Sequence, residues 1–229
     1  MSETDLKILL ALSGAVTGWI LAQAATVIRF FWRRRWLRRA LLEELDDVKW
    51  DLEQTQTFLE EQIKIAAIGM IAPGTHTPIQ TPIYSSFFSE ACSALTREQR
   101  QSYKQIHTHI EGVNVGFEHL RTLITSMNPR ALSKHELRIK GEEWMSFLKG
   151  DYANVTRTLA HVTFHLHRPQ HPDLGNEYGE VARWIGKQDN IAAANIARII
   201  DEAKGKTLAE LDVHMAGYDI PASPSPPAV

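Results

Sequence analysis

Residues 8–39 read ILLALSGAVTGWILAQAATVIRFFWRRRWLRR, and the reading of this stretch decides the rest. From Ile8 to Ile28 no side chain is charged, and only Ser13, Thr17, Gln23 and Thr26 are polar. As a helix rising about 1.5 Å per residue, such a run matches the roughly 30 Å of hydrocarbon in a bilayer. Six arginines follow at once: Arg29, Arg33, Arg34, Arg35, Arg38 and Arg39. Positive flanks are retained on the cytoplasmic side. The expectation is therefore a single-pass cell-membrane protein with its N-terminus outside and the bulk of the chain cytoplasmic. Trp32 and Trp36 suit the headgroup layer, and the arginines suit anionic lipid. A cleaved signal peptide is the competing reading, because AQA at 22–24 fits a small-residue cleavage site. The segment before the apolar run, MSETDLK, is net acidic, where a signal peptide wants positive charge.

Charge is unevenly distributed. The chain nets −2 over 229 residues, but its first 39 carry Lys7 and six arginines against Glu3 and Asp5. The remainder is acidic, which argues against a nucleic-acid binder, where the basic surface belongs to the domain as a whole. The single cysteine, Cys92, excludes a disulfide framework and a four-cysteine zinc site.

Within the apolar run Gly14, Gly18, Ala22 and Thr26 recur every four residues. Small residues at that spacing let membrane helices approach closely. Gly14, Gly18 and Ala22 are the candidates for anchor self-association, and a homo-oligomer is expected.

No break separates the basic stretch from the residues after it. Leu41, Leu45, Val48, Leu52, Thr55, Leu59 and Ile63 form a near-heptad seam, flanked by acids. It suits a short coiled coil or one helix of a bundle, and predicts a single helix from the anchor to about Ile68. Pro73, Pro78 and Pro82 then forbid regular structure. Thr81 before Pro82 predicts an N-cap and a short helix over about 82–94. Capping boxes, TREQ at 96–99 and SKHE at 133–136, open two longer helices. The first turns Tyr103, Ile106, Ile110, Val113, Phe117, Leu120 and Ile124 inward and stops at Asn128-Pro129. The second runs to about Arg168 with Leu137, Trp144, Leu148, Tyr152, Val155, Leu159, Val162 and Leu166 inward. A further helix over about 177–204 buries Tyr178, Val181, Ile185, Ala192, Ile196, Ile199 and Ala203, and TLAE at 207–210 starts a last turn. No window alternates as a strand does. The expected fold is all-α: an N-terminal transmembrane helix continuing into a cytoplasmic antiparallel helical bundle. The organisation is an anchor with basic stretch over 1–39, a bundle over 40–215 and a disordered proline-rich tail over 216–229.

Chemistry is sparse. There is no P-loop, dinucleotide fingerprint or Gly-x-Ser-x-Gly elbow. His161 and His165, one helical turn apart, are the candidate metal ligands, and they lack an evident third. Histidines also favour a helix C-terminus. His107 and Glu111 make a similar pair. No Glu-x-x-His occurs, against the di-iron bundle class. Cys92 sits in FFSEACSAL, which reads as a buried face. Gly112 and Gly116 lie inside a strongly patterned helix, where each glycine costs about 1 kcal/mol, and so mark close helix packing. The function expected is a membrane-anchored scaffold or interaction protein without catalysis, without a cofactor, with an unknown protein partner and no nucleic acid. A membrane effector whose anchors oligomerise to perturb the bilayer and a metal-dependent enzyme using the His161/His165 region are the alternatives.

Overall fold

The computed structural model describes residues 3–72, 74, 76–126, 133–172, 174 and 178–211. It is all-helical: α1 Glu3–Ala67, α2 Pro82–Ala91, α3 Arg97–Ser126, α4 Lys134–His167 and α5 Tyr178–Ala203. Single 3-10 turns occupy Cys92–Ala94 and Leu208–Glu210, and no strand occurs among the described residues. The 216–229 tail and the Asn128-Pro129 stop lie outside the described residues.

The helix ends follow local chemistry. Gly69, at φ +80°, donates its N–H to the Ala66 carbonyl at 3.0 Å, and Met70 reaches back to Ile65 at 3.2 Å. That left-handed closure, which favours glycine, ends α1. The two predicted capping boxes form, Gln99 with Thr96 and Glu136 with Ser133, and the turn expected at 207–210 closes with a third, Glu210 with Thr207. Thr81 departs from expectation, because its side chain makes no capping hydrogen bond. The buried Glu44 carboxylate takes that role, accepting from the N–H of Ile83 at 2.5 Å and of Tyr84 at 2.9 Å. A carboxylate satisfies two orphan donors at once and also meets the positive end of the helix dipole.

The chain forms two compact units. The first contains Met1–Glu53, Pro78–Glu111 and Thr158–Trp184. Its core begins at Leu37 and continues through Leu41, Leu45, Val48 and Leu52 on α1, with Tyr103, Ile106 and Ile110 of α3 and Val162 of α4. Aromatic contacts tie α2 in: Trp36 meets Phe87 edge-on at 6.3 Å, and Phe88 meets Tyr103 at 6.2 Å. Gln99 Nε2 donates to the Pro169 carbonyl at 2.6 Å.

The second unit contains Gln54–Thr77, Gly112–Arg157 and Ile185–Val229. Thr55, Leu59 and Ile63 complete the buried α1 seam, and Val113 and Phe117 of α3, Trp144, Leu148 and Tyr152 of α4, and Ala192, Ile196 and Ile199 of α5 are buried in the same unit. The Tyr152 hydroxyl donates to Glu60 at 2.9 Å and accepts from Gln56 at 3.1 Å. Arg157 pairs with Asp189 at 2.7 Å.

Three predicted faces shift. On α3 Leu123 is buried and Ile124 only half-buried. On α5 Val181 and Ile185 are half-buried, and the Tyr178 side chain lies outside the described residues. On α4 Leu137, Leu159 and Leu166 are half-buried, whereas Thr158, His161 and His165 are fully buried. Leucine periodicity alone misplaces that face, because the polar side chains find partners inside and the leucines flank them.

Candidate functional site

Every residue from Leu12 to Arg33 is exposed, including Leu12, Val16, Trp19, Ile20, Leu21, Val27, Ile28 and Phe31. Other parts of the described chain meet this stretch only at its end, where Arg33 pairs with Glu90, and bury none of it. Four residues on, Leu37 is 1% exposed. α1 therefore changes surroundings within about one turn. Among the described residues, this is the one helix long and apolar enough to cross a membrane. A Cβ added at Gly14 or Gly18 would meet nothing within 4 Å, so that small-residue face is open.

The arginines at the boundary divide by partner. Arg33 forms a two-pronged ion pair with Glu90 of α2, its Nη2 2.8 Å from Oε2, and this pairing holds the Glu90 carboxyl below its usual range. Arg39 pairs with Glu43 at 2.8 Å. Arg38 donates to the neutral Gln170 amide, and Arg34 lies 5.1 Å over the Phe30 ring. Arg34, Arg35 and Arg38 have no carboxylate partner among the described residues. With Phe31 and Ala94 they line a hollow of about 370 Å³. A second hollow of about 530 Å³ is lined by Phe31, Trp32 and Arg35. Arg29 is exposed on the same boundary, with Trp32 at 74% exposure and Trp36 half-covered by Phe87.

The histidines form a buried polar layer in the first unit. The Ser102 hydroxyl lies 2.8 Å from His165 Nδ1 and 3.2 Å from His161 Nε2. The hydroxyl group can serve both neutral rings, its proton donated to one ring nitrogen and its oxygen accepting the N–H of the other. Burial pushes the rings down, to about 3 for His161 and about 4 for His165; the neighbouring His109 and His165 also act on His161. Both are neutral near pH 7. Trp184 and His109 meet His161 edge-on, each at 5.9 Å. His107 is buried, stacked on Tyr84 with ring centroids 3.3 Å apart, and pushed down to about 3 by burial. Glu111, its expected partner, is exposed. Among the described residues no three or more His, Cys, Asp or Glu side chains gather to hold a metal. The third group at His161 and His165 is a hydroxyl, a poor ligand for the zinc or iron such a pair would serve.

Cys92 is a free, half-buried thiol opening a 3-10 turn, and its carbonyl accepts from Arg100 at 3.0 Å. The two glycines of α3 differ. A Cβ at Gly116 would overlap the Asp151 carboxylate, lying 2.7 Å from its Cγ, whereas one at Gly112 would meet nothing within 4 Å. Asp151 is buried, its Oδ2 has no hydrogen-bond partner, and burial pushes it up to about 7. In the same unit Met70, Leu137, Gly141, Met145 and Ile200 line an open hollow of about 740 Å³, rimmed by Arg138, Glu142 and Lys149.

Sequence patterns missed Ser102, Glu44, Glu90 and Asp151. Ser102 left one usable trace: it directly precedes the seam residue Tyr103, on the edge of a face that also takes in Gln99. These features define an all-helical protein with a long apolar N-terminal helix and a basic, aromatic boundary. No protein-family model, curated protein or solved structure matches the chain.

Proposed function

We propose that the chain is a single-pass membrane protein, N-terminus outside, whose cytoplasmic helices after Leu37 form a bundle that acts as a scaffold or recruitment module without chemistry of its own. One observation carries this reading: the apolar side chains from Leu12 to Phe31 are exposed along their whole length, and burial begins only at Leu37, within the arginine cluster. Exposed apolar surface on this scale marks a membrane or partner contact. Length, the absence of charge and the arginine flank favour lipid. The open hollow around Met70 and Met145 supports recruitment, since flexible methionines suit adaptable contacts.

The test is membrane fractionation of the full chain with a fluorescent reporter fused after Val229. The protein should stay with membranes through alkaline carbonate washing, and the reporter should sit in the cytoplasm. A carbonate-soluble chain, or a reporter outside the cell, would overturn the reading. Self-association of anchors to perturb the bilayer is favoured only by the open face at Gly14 and Gly18. It predicts crosslinked anchors and growth toxicity, both lost in Gly14→Leu/Gly18→Leu while insertion persists.

A further inference from the structure

We propose that Arg34, Arg35 and Arg38, together with Phe31 and Trp32, seat the headgroup of one anionic phospholipid at the cytoplasmic end of the apolar segment. The proposal rests on the membrane reading and goes beyond it, replacing a diffuse positive field with a built site.

Three observations converge. First, the arginines are sorted by partner. Arg33 and Arg39 are neutralised by Glu90 and Glu43, whereas Arg34 and Arg38 are braced by an aromatic ring and a neutral amide. Neutral bracing orients a guanidinium without cancelling its charge: Gln170 takes one Nη of Arg38, and the remaining N–H groups face no carboxylate and can serve phosphate oxygens. Second, the arginines without a carboxylate partner converge. Arg34, Arg35 and Arg38 line one hollow of about 370 Å³, a size suited to a small polar group. Third, Arg35 and Phe31 also line the neighbouring aromatic hollow of about 530 Å³ with Trp32. A charged pocket joined to an apolar one matches an amphiphile better than a free inorganic anion.

Depth agrees. Arg34 lies six residues past Ile28, about 9 Å along the helix axis. Side chains on a helix lean toward its N-terminus, so these guanidinium groups reach back over the preceding turn toward the bilayer. Phosphate groups of the cytoplasmic leaflet lie at that level.

The experiment uses the full chain, purified in neutral detergent and titrated with dansyl-labelled phosphatidylglycerol, reading energy transfer from tryptophan. Arg34→Gln/Arg35→Gln/Arg38→Gln should weaken binding at least about tenfold, and Arg29→Gln/Arg33→Gln/Arg39→Gln, with the same loss of charge, within about twofold. Lysine at positions 34, 35 and 38 keeps the charge without the fork and should fall between. Equal weakening by the two glutamine triples would overturn the seat in favour of a diffuse field. Displacement by inorganic phosphate as effective as by unlabelled phosphatidylglycerol would overturn the lipid assignment. Carbonate washing of each variant reads the anchor separately. A seat variant that stays in the membrane yet binds the labelled lipid normally refutes the seat alone, whereas a parent chain that washes off refutes the membrane reading beneath it.

Discussion

Asp151→Asn should flatten the pH dependence of stability on one side of neutrality. Asp151 is 5% exposed, packed against Gly116, and leaves one carboxyl oxygen without a hydrogen-bond partner. Burial raises its pKa from 3.8 to about 7. The folded chain therefore holds a proton that the unfolded chain releases. The associated stability is fully present below the unfolded pKa and is lost as pH rises through the folded one. At 1.36 kcal/mol per pH unit, complete ionisation of the folded group costs about 4 kcal/mol. Between about pH 5 and about pH 8 the loss is about 3 kcal/mol. Asparagine keeps the shape and cannot ionise. Denaturant unfolding of the full chain in neutral detergent, followed by helical circular dichroism, measures parent and variant across that range. Relative to the parent, the variant should gain about 3 kcal/mol from the acid to the alkaline end. The difference removes the histidines, which titrate alike in both proteins. A gap between variant and parent that is constant with pH would refute the claim that this carboxyl is buried without compensation.

The two α3 glycines should respond with opposite signs. Gly112→Ala should stabilise by up to about 1 kcal/mol, and Gly116→Ala should destabilise by about 1–3 kcal/mol by crowding Asp151, both read by the same denaturant curves. Glu44→Gln should lower stability by about 1 kcal/mol and speed hydrogen exchange at the amides of Ile83 and Tyr84, because a neutral amide caps them less well. His107→Phe keeps the stack on Tyr84 and removes a buried ring that must stay neutral. With its pKa depressed to about 3, His107 contributes stability that is present above its ordinary 6.5 and lost as pH falls. The Phe variant should therefore melt above the parent near about pH 5, with the gap shrinking toward about pH 8.

Much of the fold was legible because its determinants are local. The seam from Leu41 to Ile63 is buried as its spacing requires, and three capping boxes close within four residues each. Such signals need only the neighbours along the chain. The misread features depend on distant partners. Thr81 has the right residue type for a cap, yet Glu44 occupies the place from α1. On α4 a leucine pattern and a histidine pattern compete for the interior of the first unit. The histidines win beside Ser102, whose contribution no pattern on α4 could reveal.

The arginine cluster makes the same point at the candidate site. As a string of letters the six are equivalent, and composition supports only a statement about which side of a membrane they prefer. Their partners separate them. Glu90 stands 57 positions from Arg33, and Gln170 stands 132 from Arg38. Had a glutamate occupied position 170, Arg38 would be neutralised like Arg33 and the hollow beside Ala94 would lose one of its three cations. The packing of α2 and of the segment after α4 against α1 thus decides which arginines remain available to a phosphate. Orientation in a membrane tolerates any arrangement of these charges, whereas recognition of one headgroup depends on which are left unpaired. The sorting of carboxylate and neutral partners is therefore the feature that distinguishes a binding site from a topology signal.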